Sequence, residues 1–358
     1  MKKGYFSKII VEWYQEHHRD LPWRNTQDAY KIWLSEIILQ QTRVSQGLPY
    51  YERFIRHYPN VISLAAAREQ DVLRLWQGLG YYTRARNLHK CAKLVVKNYA
   101  GKFPRTFREL KGLPGIGDYT AAAIASFAFG ERVAVVDGNV FRVLSRTFGL
   151  DQDIASPLGK KLFSDLANEL IPTDLPGIHN QAVMEFGALH CAPQNPNCIE
   201  CVFSRQCVAF QRGLTSQLPV KIKRHKTARR RFYYLLVQRG NKFLMKKRTG
   251  TDIWKGLFDL PMLETNRTIS KAGILRSALQ GGSSSSVARR HAEVSEEYKH
   301  ILTHQVIRAR FVHISIPPTS EVPPLAHFAN GRWYSVRQIE RLPKPALITR
   351  YLLDRGIL

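Results

Sequence analysis

Hydrophobic positions follow two different periods along this chain of 358 residues. In the first part, apolar residues recur three and four positions apart, as on one face of an α-helix, and Gly or Pro separates the segments. This period predicts helices over residues 29–41, 69–76, 85–99, 120–129 and 140–147. No apolar run approaches the roughly 18 residues of a membrane-spanning helix, so we expect no membrane span.

The later part of the chain has short β-rich runs instead. Residues 232–238 and 242–247, joined by Arg239-Gly-Asn241, predict a hairpin, and residues 309–316 predict another strand. The Gly- and Ser-rich stretch 281–286 predicts a loop. We therefore expect a mostly α region over residues 1–215, a linker over 216–231 and an α+β domain over 232–358.

The net charge points to a polyanionic partner. The chain has 54 basic and 28 acidic residues, a net charge of +26. Such an excess favours nucleic acid, where phosphate neutralisation releases counterions, although a generally basic protein remains an alternative. Residues 221–231 hold seven basic and no acidic side chains, so the linker is either a solvated connector or a phosphate contact. No secretory signal pattern is present, and we expect a cytoplasmic, nucleoid-associated protein.

Four cysteines lie close together, with gaps of six, two and five residues: Cys191, Cys198, Cys201 and Cys207. Thiols stay reduced in the cytosol, so a metal centre is favoured over disulfides. Zinc ligands more often come as two close pairs, whereas only the middle two cysteines form such a pair here. The spacing therefore favours a 4Fe-4S cluster, with zinc or coincidence left open. Cys91 has the pattern of a helix core position.

A second motif is the glycine-containing segment 113–121. Gly115 and Gly117 allow a tight turn after Leu113, and a helix beginning near Asp118 would leave backbone amides free for a phosphate oxygen. This is the helix-hairpin-helix pattern. Any tight turn between two helices is the plainer alternative.

Two carboxylates lie in different local patterns. Glu36 lies on an apolar helical segment, where desolvation raises the pKa of a carboxyl and suits it to general acid catalysis. Asp137 precedes a helix whose cap we expect to be Asn139, and the positive end of the helix dipole favours an ionised Asp137. A neutral and an ionised carboxyl are what cleavage of a glycosidic bond needs. An exposed helix glutamate and an ordinary Asp-Gly turn are the alternatives.

With the four cysteines, the glycine-containing turn, Glu36 and Asp137, the chain resembles the helix-hairpin-helix DNA glycosylases, and among them the MutY-type adenine DNA glycosylases. The resemblance covers nearly the whole chain through residues 22–24, 39–42, 78–82, 113–121, 136–139 and the four cysteines. It implies a six-helix barrel, a 4Fe-4S subdomain built from residues 1–23 and 131–215, and a monomer. It also implies excision of adenine mispaired with 8-oxoguanine or guanine in double-stranded DNA, after the adenine is flipped out.

The resemblance also assigns roles to residues. Glu36 would protonate an imidazole-ring nitrogen of adenine and help to activate water, Asp137 would stabilise the sugar cation, and Tyr119 and Asn139 would position these groups. Tyr119 stands where endonuclease III-type enzymes have the lysine that nicks the strand, so the chain is expected to be monofunctional. The implied DNA-binding residues are Arg24, Leu39, Gln41, Thr42, Tyr81, Leu113, Gly115, Gly117, Thr303 and His304. Core packing is the alternative for Leu39 and Tyr81.

Residues from about 232 resemble the Nudix-type domain that senses 8-oxoguanine in this family. Leu302-Thr303-His304 stands where the family has Phe-Ser-His, and a plain β-turn is the alternative. Residues 265–281 contain no Asp or Glu to bind Mg²⁺, so we expect lesion recognition without hydrolysis. The loop 192–197 between the first two cysteines has no Lys or Arg, which weakens a phosphate contact there. Rival functions are a bifunctional glycosylase/lyase, a catalytically silent iron-sulfur DNA-binding protein and a nucleotide pyrophosphatase.

Overall fold

The structure, a computed structural model, describes residues 3–222, 227–278, 292–317 and 331–358. Contacts divide the chain into two compact units. The first unit contains the described residues up to 66 and from 87 to 222, and its helices are α1 (Lys3–His17), α2 (Ala29–Leu39), α3 (Val44–His57), α4 (Val61–Ala66), most of α6 (Tyr82–Tyr99), α7 (Phe107–Lys111), α8 (Asp118–Phe129), α9 (Gly138–Phe148), α10 (Pro157–Leu170), α11 (Pro176–Leu189) and α12 (Val208–Gln211).

All five helices predicted from the apolar period are present in the structure, with ends that differ by up to three residues. Their apolar faces are buried: Phe6, Phe163, Phe186 and Phe203 join α1, α9, α10, α11 and the cysteine segment in one core. Cys91 is fully buried in α6, as predicted. Among the described residues, no helix is long and apolar enough to cross a membrane.

The second unit contains Ala67–Arg86 and the described residues after 226. Its strands are β1 (Ala228–Arg239), β2 (Lys242–Lys247), β3 (Phe258–Asp259), β4 (Met262–Thr265), β5 (Glu293–Val294), β6 (Tyr298–Leu302), β7 (Gln305–Ile316) and β8 (Arg332–Ser335), and its helices are α5 (Glu69–Leu75), the start of α6, α13 (Lys271–Ala278), α14 (Val336–Arg341) and α15 (Ala346–Asp354).

The strands form one mixed sheet. Its described order is β3-β2-β1-β7-β5, with β4 on β1, β6 on β7 and β8 on β2. β1 and β7 run parallel along their whole length, and the other pairs are antiparallel. The predicted hairpin is confirmed by the pairing of Arg239 with Lys242. The predicted strand 309–316 is also present and begins four residues earlier.

Residues 228–231 and Ala67–Arg86 belong to different parts of the fold than the sequence analysis predicts. Residues 228–231, predicted as linker, are the start of β1 because they pair with β7. Residues 223–226 and the predicted loop 281–286 lie outside the described residues. The segment Ala67–Arg86 packs in the second unit, where the Gln77 side chain bonds to the Thr349 hydroxyl and accepts the Lys344 backbone N–H.

Candidate active site

A cavity of about 650 Å³ opens in the first unit between α2, the start of α8 and the start of α9. It is lined by residues from distant parts of the chain. Nine of the predicted site residues lie on its wall: Arg24, Glu36, Leu39, Gln41, Thr42, Gly117, Tyr119, Asp137 and Asn139. The fold thus brings together the predicted acid, the predicted anion and the residues expected to position them.

Glu36 lies on α2, which the Asp28 side chain caps at its N-terminus by accepting the Tyr30 N–H. The surrounding helix is apolar, so the carboxyl is 7% exposed. The pKa of Glu36 is raised to about 7, mainly because the carboxyl is buried; a hydrogen bond with Tyr119 opposes this shift, and the nearby Asp137 adds to it. A large fraction of this carboxyl is therefore protonated at neutral pH.

Tyr119 lies in the first turn of α8, after the Gly117 N-cap. Burial and the two neighbouring carboxylates raise its pKa well above the ordinary value of 10. The phenol therefore stays neutral and retains a proton to donate to Glu36. A neutral phenol at this position cannot form a Schiff base, which requires an amine.

Asp137 is itself the N-cap of α9, which corrects the expectation that Asn139 would be the cap. Its carboxylate accepts hydrogen bonds from the backbone N–H groups of Asn139 and Val140 and from the Asn139 side chain, each at 2.8 Å. Burial raises the pKa of Asp137, and these three donors and the Arg142 charge oppose the shift. All three donors bind best to the ionised form.

Arg142, one turn further along α9, supports this arrangement. Its side chain is buried and donates to the Asn139 side-chain oxygen at 2.8 Å, the Gly187 carbonyl at 2.6 Å and the Cys191 carbonyl at 2.7 Å. Gly187 lies so close to α9 that an added Cβ would be 2.7 Å from the Asn139 Cβ. The orientation of Asn139 is therefore fixed by its neighbours on both sides.

Glu185 is a cavity residue that the sequence analysis missed. Its carboxylate is 1% exposed and accepts paired hydrogen bonds from Arg24 (2.8 and 2.6 Å) and from Arg19 (2.7 and 2.6 Å). Burial favours its neutral form, but these bonds prevail and lower the pKa of Glu185 to about 2. Arg24, predicted as a pocket residue, is thereby held in place by a buried anion.

The glycine-containing turn has the predicted backbone features. Gly115 has a φ of +78°, and a Cβ there would lie 2.7 Å from the Asn87 Cβ, so glycine fits this position best. Gly117 caps α8 without a side chain, which leaves the first amides of the helix without an intrahelical partner. Leu113 is 4% exposed, so its side chain packs in the core.

Gln41 and Tyr81, the two residues predicted to enter the base stack, have φ values of +56° and +48°. Such strained conformations in non-glycine residues are often found at functional sites. In the second unit, the Tyr81 hydroxyl contacts the Thr303 hydroxyl. Thr303 and His304 are exposed and form the turn between β6 and β7.

The four clustered cysteines line one small cavity of the first unit. Arg146 donates to the Cys191 sulfur at 3.5 Å, and the Phe203 backbone N–H donates to the Cys201 sulfur at 3.4 Å. Within the described part of the chain, no group of three or more His, Cys, Asp or Glu side chains forms a site for a metal ion. The four thiols match the donor chemistry of an iron-sulfur cluster and border one cavity, but the described side chains are not arranged as a formed metal site.

Comparisons with known proteins agree with these features. Residues 34–169 match the HhH-GPD superfamily of base excision DNA repair proteins, and residues 232–354 match the NUDIX domain. The chain is 33% identical to the adenine DNA glycosylase of Buchnera aphidicola subsp. Schizaphis graminum, over 95% of this chain and 96% of that protein. It is 43% identical to the human adenine DNA glycosylase, over 60% of this chain and 41% of that protein.

Among solved structures, a thermostable thymine-DNA glycosylase is similar, with 30% identity and a TM-score of 0.55 over 59% of this chain and 97% of that one. The helical fold of the first unit and the Nudix-like domain with its mixed sheet are thus both confirmed. The match to the Buchnera relative covers nearly the full length of both chains. This chain therefore belongs to the adenine DNA glycosylase family of base excision DNA repair enzymes.

Proposed function

We propose that this enzyme excises adenine mispaired with 8-oxoguanine or guanine in double-stranded DNA, by hydrolysing the N-glycosidic bond and leaving the backbone intact. The observation that carries this proposal is the pairing of Glu36 and Asp137 in one cavity. Glu36 has a pKa of about 7, and Asp137 is bound by three hydrogen-bond donors. This division suits an oxocarbenium-like transition state.

In the proposed reaction, an adenine flipped out of the duplex enters the cavity. The protonated Glu36 donates to a ring nitrogen, which makes the base a better leaving group. Asp137, as an anion, stabilises the positive charge that develops on the sugar. Tyr119 and Asn139 hold the two carboxyls in place, and Glu36, ionised after the transfer, accepts a proton from the attacking water.

The neutral Tyr119 supports a monofunctional reaction over a glycosylase/lyase. The test is a single-turnover reaction on a duplex with one adenine opposite 8-oxoguanine, with and without alkali. We expect strand breaks only after alkali treatment and loss of these breaks in Glu36→Gln. The matched control is Glu52→Gln, an exposed glutamate of α3. Breaks without alkali would support the lyase, and no adenine release would support a silent DNA-binding protein.

A 4Fe-4S cluster held by Cys191, Cys198, Cys201 and Cys207 is part of the proposal. Their shared cavity and the donors to two of the sulfurs support it. When bound, the cluster would fix residues 191–207 against the helical core, away from the cleaved bond. Visible absorbance together with iron and zinc analysis of the purified protein tests this assignment against zinc.

For the C-terminal domain, we propose recognition of 8-oxoguanine by the turn at Thr303 and His304, without nucleotide hydrolysis. The exposed hydroxyl and imidazole can both hydrogen-bond to a base. The absence of acidic residues from 265–281 supports the lack of Mg²⁺-dependent hydrolysis. The six-helix barrel, the monomeric state and the cytoplasmic, nucleoid-associated location stay part of the proposal, as do the domain limits other than those of residues 228–231, which belong to β1.

A further inference from the structure

One face of the sheet in the second unit changes from apolar to basic along the strands. Tyr233, Leu235 and Val237 of β1 pack with Val312 and Ile314 of β7 in a core that includes Ile274 of α13. Because side chains alternate between the two faces of a strand, the same face continues toward the start of β1 with basic residues. These are Arg229 and Arg231 on β1, Arg308 and Arg310 on β7, and Lys299 on β6, and we call them the basic sheet face.

The register places these cations next to one another. Arg231 is paired with Arg308, and Arg308 is paired with Lys299, so three cations stand in one row across three strands. Neighbouring strands are about 4.8 Å apart, and the next row on the same face is about 6.6 Å along. Like charges directly opposite one another destabilise a sheet, so an anion bound over the row would offset that cost.

Few acidic side chains of the described residues pair with these cations. Among the described residues, Arg308 alone of the five has an acidic partner, Glu297 at 2.6 Å. Arg230, between Arg229 and Arg231 but on the opposite face, shows the contrast. It donates two hydrogen bonds to Asp252 and two to Glu264, as a structural arginine does.

We propose that the basic sheet face is a binding surface for the phosphate backbone of DNA, additional to the glycine-containing turn at residues 113–121. Its cations cover about 10 Å across the strands and about 13 Å along them. Arg308 lies three positions beyond Gln305, which pairs with Leu302 to close the Thr303-His304 turn. Phosphates that flank a base bound at this turn would therefore reach the basic sheet face within about 10 Å. The inference rests on DNA as the substrate of the proposed function.

The test is the salt dependence of duplex binding by the full-length double variant Arg231→Gln/Arg310→Gln. Both arginines lack an acidic partner within the described residues, so neither substitution leaves a carboxylate without its ion-pair partner. The matched control removes two exposed cations of α14, Arg337→Gln/Arg341→Gln. Duplexes with and without an A:8-oxoguanine pair are both measured, because phosphate contacts carry no base information.

We expect the slope of log K against log salt concentration to become shallower by about 2 in the double variant, about 0.9 for each lost phosphate contact. Binding to the two duplexes should be weakened by the same factor, and the control variant should keep the wild-type slope. An unchanged slope and affinity, or an equal loss in the control, would overturn the proposal and leave an acidic protein as the candidate occupant.

Two further measurements separate this inference from the proposed reaction. Single-turnover excision at saturating enzyme should proceed at the wild-type rate in the double variant, since the cavity is unchanged. If wild-type enzyme released no adenine while the salt slope still depended on Arg231 and Arg310, the proposed reaction would fail and the surface would stand. Thermal unfolding of the double variant at or above the wild-type temperature confirms that a binding loss does not come from misfolding.

Discussion

The stability of Glu36→Gln relative to the wild type should increase as the pH rises. The pKa of this carboxyl goes from an ordinary 4.5 to about 7 in the folded chain, mainly because it is buried. A raised pKa means that the native state binds the proton more tightly than the unfolded state. The resulting stabilisation is complete below pH 4.5 and is lost as the pH rises through 7. Glutamine has no proton to lose and shows no such dependence.

The magnitude follows from the size of the shift. A pKa difference of one unit corresponds to about 1.4 kcal/mol, so the full effect on the free energy of unfolding is about 3 kcal/mol. Between pH 5 and pH 8, the stability of Glu36→Gln relative to the wild type should increase by roughly 2 to 3 kcal/mol. The side chain is almost completely buried, so solvent screening reduces this figure little.

The assay is urea denaturation at several pH values, monitored by the helical circular dichroism signal of the protein. The exposed Glu52→Gln serves as the control and should differ from the wild type by a constant amount. A constant difference between Glu36→Gln and the wild type would refute the reasoning, because it would mean that Glu36 titrates normally in the folded protein. The proposed general acid would then be ionised at neutral pH.

Three other predictions follow from the same cavity. Tyr119→Phe removes the hydrogen bond that opposes the raised pKa of Glu36, so the excision rate should fall at a higher pH than in the wild type, as a pH–rate profile would show. Asp137→Ala should lose excision and about 1 kcal/mol of stability through the lost cap, whereas Asp137→Asn should lose excision with a smaller change in melting temperature. Gly187→Ala forces a Cβ against Asn139 and should cost about 1 to 3 kcal/mol and reduce excision; wild-type values in both assays would contradict the close packing.

Features that depend on neighbouring residues in the chain could be predicted from the sequence. The apolar period around Glu36 predicts its burial, and the two glycines at 115 and 117 predict the turn before α8. The same reasoning should have found Glu185, a lone acid between apolar positions of α11. It was missed because its partners Arg19 and Arg24 lie more than 160 positions away in the chain.

The start of β1 could not be predicted for a different reason. Arg229, Arg230 and Arg231 show no apolar alternation, so as a sequence they resemble an exposed linker. They form a strand because β7, about 80 residues later, supplies parallel backbone partners. The cap of α9 was misplaced by two residues because Asp and Asn are both favoured at N-caps, and the pattern alone does not choose between Asp137 and Asn139.

The different tasks of the two carboxyls come from where each one lies on its helix. Glu36 lies beyond the first turn of α2, where the backbone N–H groups already bond within the helix and leave Tyr119 as its hydrogen-bond donor. Asp137 is at the N-cap of α9, where the first N–H groups have no intrahelical partner and two of them donate to its Oδ1. Burial acts on both groups, but the backbone solvates an anion only at the helix start. Exchanging the two side chains would therefore fail, because the position beyond the helix start favours a proton donor and the cap favours an anion.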